Sequence, residues 1–144
     1  MGTECVFCDI LAGRTPATIV AETSGVVALV DVRQFHPGHV IVIPRDHVSD
    51  IREANDMMSA ALMRMVARVA RAITVVCPMD GLSIWHSIGE GANQEVPHLH
   101  FHVHPRRIGD DMLRVYPSSP ECPDRDALNS LGAVLREAIA NDDA

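Results

Sequence analysis

The chain has 144 residues, a mass of 15.7 kDa and a formal net charge of −7. One domain fits that length, and 47% hydrophobic with 22% charged residues is ordinary globular composition, which excludes a disordered chain or a collagen-like repeat. The acidity excludes a general nucleic-acid or anionic-membrane binder, and all 12 basic residues are arginine, which excludes chemistry through a lysine amine. The start of the chain, Met1-Gly2-Thr3-Glu4-Cys5-Val6, has no basic segment followed by an apolar one, and no apolar run has membrane-spanning length. The sequence therefore predicts a cytoplasmic protein with no membrane partner. In that compartment its cysteines stay reduced, so Cys5-x-x-Cys8 reads as a metal or redox pair and Cys77 and Cys122 as packing residues.

The first half reads as strands. Thr18 to Glu22 is rich in β-branched residues, Thr23-Ser24-Gly25 is a turn, and Val26 to Val32 is a second apolar run. Gln34 to Gly38 forms a loop, and His39 to Ile43 is a third strand closed by Pro44. Connections this short demand antiparallel pairing. From Asn55 or Asp56 to about Val75 the period changes. Met58, Leu62, Met65, Val66, Val69 and Ile73 fall at helical spacing, with Arg64, Arg68 and Arg71 on the opposite face and Asn55 placed to cap. Leu82 to Ile88 is a fourth strand, Gly89 to Asn93 a glycine-rich loop and Val96 to His104 a fifth strand. A proline-rich stretch leads to a terminal helix marked by Leu128, Leu131, Leu135 and Ile139. This order predicts an α+β fold around one antiparallel sheet.

The stretch His98-Leu99-His100-Phe101-His102-Val103-His104 carries the chemistry. Alternation along a strand puts four imidazoles on one face and Leu99, Phe101 and Val103 on the other. Metal binding, a pH switch and covalent catalysis all use such a row. Clustering favours the last, because neighbouring imidazoles depress one another's pKa and keep a nucleophile unprotonated. Arg106 and Arg107 follow closely and offer positive charge to a phosphorus electrophile.

These residues resemble the histidine-triad signature, His-φ-His-φ-His-φ-φ with φ apolar, departing at the last position, where His104 stands. Asp31, Pro37-Gly38-His39 with the apolar run to Pro44, Gln94-x-Val96 and Pro105-Arg106 match the same family in order and spacing. The resemblance implies an α+β fold with a five-stranded antiparallel sheet, one long central helix and a C-terminal helix. It implies a single domain over 1–144, with an N-terminal arm at about 1–15 and a C-terminal helical extension at about 117–144. It implies a hydrolase or transferase acting at the α-phosphate of a nucleotide, with a purine nucleotide as substrate and a homodimer as the assembly. His100 would be the nucleophile, His102 would contact the α-phosphate and leaving group, and His39 would complete the network. Asp31 would hold the ribose, with Ser87 and Gln94 also placed at the nucleotide. A nucleoside phosphoramidase, a dinucleoside polyphosphate hydrolase and a nucleotide- or zinc-binding module with little turnover all remain open. The leading Cys-x-x-Cys resembles the zinc-bearing bacterial-type branch, which implies structural zinc on Cys5, Cys8, His47 and His98 and no organic cofactor. Ser87 and Glu95 depart from the Asn or Gln and the Ser or Thr that the family often has there. His36 and His86 are expected at surface or packing positions.

Overall fold

The β-branched runs of the first half form three strands in the computed structural model, β1 (Ile19–Glu22), β2 (Val26–Val30) and β3 (Val40–Pro44). The structure describes residues 5–142; the first four residues of the expected arm and the last two of the expected extension lie outside the described residues. Thr23 closes the first hairpin, its hydroxyl accepting the Val26 amide at 3.1 Å. After a short 3-10 turn at Ile51–Glu53 comes α2 (Asp56–Val76), preceded much earlier by α1 (Val6–Leu11). Asn55 caps α2 as its position predicts, its side chain accepting the Met58 amide at 2.9 Å. Two further strands, β4 (Gly81–Trp85) and β5 (Phe101–Arg106), complete one antiparallel sheet of order β1-β2-β3-β5-β4.

The period-2 alternation sorts the strands onto two faces. Val26, Ala28, Val40, Val42, Leu99 and Val103 pack with Leu62, Met65, Val66, Val69 and Ile73 of α2. Arg64, Arg68 and Arg71 lie on the exposed side of that helix. Truncating a fully buried residue such as Leu62 to alanine costs about 2–5 kcal/mol. The opposite face carries Val27, Leu29, Ile41 and Ile43, with Cys5 and Phe7 from the start of α1 packed on them.

The structure moves some expected boundaries. β5 starts at Phe101, not at Val96. Pro97 has no amide to donate, the His98 amide turns back to the Val96 carbonyl at 2.9 Å, and the Leu99 amide goes to Val48 at 2.7 Å. His98 and His100 therefore lie on the approach to the strand, while His102 and His104 lie in it. β2 ends at Val30 and β4 at Trp85, shorter than the apolar runs.

The chain divides into two compact units with the break after Met112. The second unit holds α3 (Arg125–Asp142), started by Asp124, whose carboxylate accepts the Ala127 amide at 2.8 Å. Leu128, Leu131, Leu135 and Ile139 fall in this helix and are exposed. Among the described residues no helix is long and apolar enough to cross a membrane.

Candidate functional site

Strand register builds one row across the face away from α2. Leu29 of β2 pairs with Ile41 of β3, Ile41 with His102 of β5, and His102 with Trp85 of β4. The Trp85 ring lies flat on the His102 imidazole, 4.3 Å between centroids and 9° between planes. The loop from β2 to β3 places two more groups beside them. The Gln34 amide is its template: Oε1 accepts the Gly38 and His39 amides at 2.8 and 3.0 Å, and Nε2 donates to the Asp31 and His39 carbonyls. Gly38 has a φ of +116°, and a Cβ there would meet Cys77 Sγ at 2.6 Å, so the turn that delivers His39 requires glycine. Asp31 and His39 are buried at its two ends.

Backbone carbonyls accept only, so they determine which ring nitrogen carries hydrogen. His39 Nδ1 donates to Arg33 O at 3.0 Å, which leaves its Nε2 to accept from His102 Nδ1 at 2.9 Å. His100 Nδ1 donates to His98 O at 2.6 Å, which leaves its Nε2 as a lone pair. His86 Nδ1 donates to His100 O at 3.0 Å and holds that backbone. Burial first, then the His100 and His39 rings, lowers the His102 pKa to about 3; burial likewise lowers His39 and His100. Burial thus favours the neutral form of each of these three imidazoles. His104, the fourth member of the row, donates from Nδ1 to Pro105 O at 2.5 Å, while its buried Nε2 has no hydrogen-bond partner among the described residues.

His98 uses the opposite nitrogen. Its Nε2 donates to Pro44 O at 2.9 Å and its Nδ1 faces the cysteines. Cys5 Sγ and Cys8 Sγ lie 3.4 and 3.6 Å from that Nδ1, and His47 Nδ1 lies 3.2 Å from it and 3.3 Å from Cys8 Sγ. All four ligand atoms lie within 4.8 Å of one another. Tetrahedral zinc with ordinary Zn–S and Zn–N bonds requires edges of about 3.3–3.8 Å, so these spacings and this soft thiolate–imidazole set fit the ion. Phe7 links the two halves, its ring edge-on to both His98 and His100 at 5.6 and 5.2 Å.

A cavity of about 540 Å³ opens beside the row, with Phe7, Leu29, Ile41 and Val96 on its walls and Asp31, Arg33 and Glu95 at its polar side. The Arg33 guanidinium grips both Glu95 oxygens, at 2.8 and 3.1 Å, and its backbone amide donates to Asp31 at 2.7 Å.

Asp31, His39, His100 and His102 thus come together, and so do Cys5, Cys8, His47 and His98. Gln94 is turned to the backbone instead: its amide bonds Gly89, Ser49 and Val96 and braces the loop that leads to His98. Ser87 is half-buried in the connection after β4, outside the cavity walls. Arg106 does not offer its charge to the row; Asp110 and Ser83 occupy its guanidinium. His36 pairs with the same Asp110 at 3.0 Å. Reading the residues alone missed Trp85, Gln34 and the Arg33–Glu95 pair. The one usable signal for Trp85 was its place on a strand, where a lone tryptophan is a natural partner for an aromatic ring across the sheet.

Residues 12–109 match the HIT domain. The chain is 37% identical to an uncharacterised HIT-like protein of Mycobacterium tuberculosis over 97% of this chain and 96% of that one. It is 33% identical to a Schizosaccharomyces pombe protein named adenosine 5'-monophosphoramidase, over 94% of this chain and 98% of that one. The crystal structure of a Bacillus subtilis member of the HIT family is similar at a TM-score of 0.87 and 30% identity, covering 94% of this chain and 96% of the other.

Proposed function

The chain belongs to the HIT domain family, and from that premise we propose that it hydrolyses nucleotides at the α-phosphorus through a nucleotidyl intermediate on His100. The observation that carries the reading is the tautomer of His100. Its Nδ1 is committed to the His98 carbonyl, so the free lone pair is on Nε2, in a ring that burial keeps neutral. Nε2 attacks phosphorus, a new P–N bond forms, and the bond to the leaving group breaks. With an amine leaving group, the departing nitrogen takes up one proton from solvent. Water then attacks phosphorus, breaks the histidine–phosphorus bond, returns that proton and restores the neutral ring. The products are a nucleoside monophosphate and an amine.

The other residues take roles that their positions support. His102, flat against Trp85 and tied to His39, is aligned to contact the α-phosphate and the leaving group. Asp31 at the cavity accepts from the ribose hydroxyls, and the apolar walls take a purine base. Ser87 is proposed to reach the nucleotide from the connection after β4, and Gln94 supports the site indirectly by bracing the loop that leads to His98. Cys5, Cys8, His47 and His98 would hold zinc, which when bound would supply cross-linking and not phosphate chemistry. These four residues connect α1 to the approach to β5, and the backbone carbonyl of His98 orients His100. The chain works as one HIT domain over 1–144, with an N-terminal metal-binding arm and a C-terminal helical extension, as a cytoplasmic homodimer.

The name of the S. pombe relative supports an adenosine phosphoramidate as first substrate. Incubation of the protein with adenosine 5'-phosphoramidate should release adenosine monophosphate. Binding of that compound with no release, under conditions where zinc is supplied, would overturn the reading and leave a nucleotide-binding module.

A further inference from the structure

We propose that His86 is a positioning residue for the nucleophile: its Nδ1–H holds the His100 carbonyl and thereby aims the His100 ring at phosphorus. The proposal rests on the reading of the chain as a hydrolase that works through His100, and its chemistry is the two balanced displacements given above.

The approach to β5 lies outside the sheet ladder, so each of its backbone groups needs a partner of its own. The His98 amide has the Val96 carbonyl, the Leu99 amide has the Val48 carbonyl, and the His98 carbonyl has the His100 ring. Among the described residues no backbone amide donates to the His100 carbonyl. His86 Nδ1 does, at 3.0 Å. His100 is buried, which leaves water little room to take that place.

The nucleophile is thus held at two points, its ring on the carbonyl behind it and its own carbonyl on His86. The next residue, Phe101, is fixed in the ladder opposite Val42. If the peptide plane between them turns, the turn is taken up at the His100 Cα, which carries the ring. A displacement of about 1 Å at a reacting group costs up to about a hundredfold in rate.

The chain leaves β4 through Trp85 and His86. Trp85 lies flat on the His102 ring. His86 lies beside Phe101, 5.3 Å between ring centroids, on the side where Phe101 and Ile51 pack against the α2 core. Two consecutive residues therefore brace two histidines of the row, one by its ring and the other by its backbone. With Nδ1 donating, His86 Nε2 is an acceptor, and the Ile51 amide faces it at 3.4 Å. Burial lowers the His86 pKa, against its hydrogen bond to His100 and the Asp50 carboxylate, and favours this neutral form.

The test separates a hydrogen bond from packing. His86→Leu keeps an apolar side chain beside Phe101 and removes the donor. His86→Asn gives up ring area but puts an amide nitrogen where Nδ1 stood. Both are assayed for kcat and KM with adenosine 5'-phosphoramidate. His86→Leu should lose about 10- to 100-fold in kcat with KM within about threefold of wild type, and His86→Asn should recover kcat to within about fivefold of wild type. A packing role reverses that order. In ¹⁵N spectra the wild-type His86 ring should carry its hydrogen on Nδ1, a readout that needs no variant and no turnover. Hydrogen on Nε2 of His86, a His86→Leu variant within about threefold of wild-type kcat, or a His86→Asn variant no better than His86→Leu overturns the proposal and leaves the hydrolase reading intact. A wild type that releases no adenosine monophosphate overturns the hydrolase reading, and the positioning role with it.

Discussion

His98 and His100 stand two residues apart and present opposite nitrogens. His98 donates from Nε2 to Pro44 O and turns Nδ1 toward two sulfurs and a second imidazole. His100 donates from Nδ1 to the carbonyl of His98 and keeps Nε2 free. Both rings are buried and burial lowers the pKa of both, so desolvation does not separate them. The backbone acceptor does. A carbonyl chooses the tautomer and the tautomer chooses the available lone pair; that of His98 meets the Cys5–Cys8–His47 cluster, and that of His100 lies outside the cluster. On the proposed function, one short stretch of chain would serve two chemistries.

The sharpest way to break this comparison is to remove one ring at a time. His100→Ala should lower turnover by about 10³-fold or more while nucleotide affinity stays within about tenfold, because a nucleophile contributes to the transition state far more than to ground-state binding. Steady-state kinetics and equilibrium titration together check it. His98→Ala should behave differently. His98 contributes its backbone carbonyl to His100, and alanine keeps that carbonyl. The variant should lose zinc and melting temperature, by roughly 5–10 °C, with turnover retained within about tenfold. Cys8→Ser should match it in metal content and thermal denaturation, and zinc affinity in the wild type should fall as pH drops, since the thiolates and imidazoles must be deprotonated to bind. A His98→Ala variant as inactive as His100→Ala would merge the two halves into one site.

Asp31→Ala sharpens the contrast at the cavity. It should raise KM by about tenfold and lower kcat much less, because ribose contacts bind ground state and transition state alike. Equal KM values for ribose and deoxyribose substrates in the wild type would remove Asp31 from that role. The smallest effect is spectroscopic. With a pKa near 3, the His102 ring should remain neutral, with hydrogen on Nδ1, in ¹⁵N spectra recorded at pH 5. In the unfolded chain an ordinary imidazole protonates near 6.5, so the unfolded state binds the extra proton between those values. His102 therefore makes stability fall as pH drops through that window, with the loss complete below about 3. A His102 titration near 6.5 in the folded protein would contradict this.

The parts of this arrangement that were legible in the sequence are those governed by local rules. Asn55 capping the helix and the Leu62-to-Ile73 stripe follow from short-range periodicity, and the structure has both. The strand pairing of β1, β2 and β3 follows from connections too short for a crossover. The start of β5 was misplaced because alternation of His and apolar residues continues back through Pro97, where the amides are already turned to other partners. α1 was not anticipated as a helix; with six residues it has no room for a full amphipathic pattern, and its helical state is a matter of packing Phe7 against the sheet. At the site, it is the resemblance to the histidine-triad family that groups Asp31, His39 and the histidine row. Trp85 on His102 and Arg33 on Glu95 did not show, because each depends on how distant segments meet. The second pair is separated by 62 positions. Gln94 shows the limit from the other side: its position suggested a ligand contact, and the fold uses its amide as a brace.

The stereochemistry at phosphorus tests the central claim most directly. An adenosine 5'-phosphoramidothioate of known configuration, hydrolysed in isotopically labelled water, reports the number of in-line displacements. Attack by His100 Nε2 followed by water gives two inversions and hence net retention, and the account predicts retention. Net inversion would mean that water attacks phosphorus directly, with no nucleotidyl-histidine intermediate.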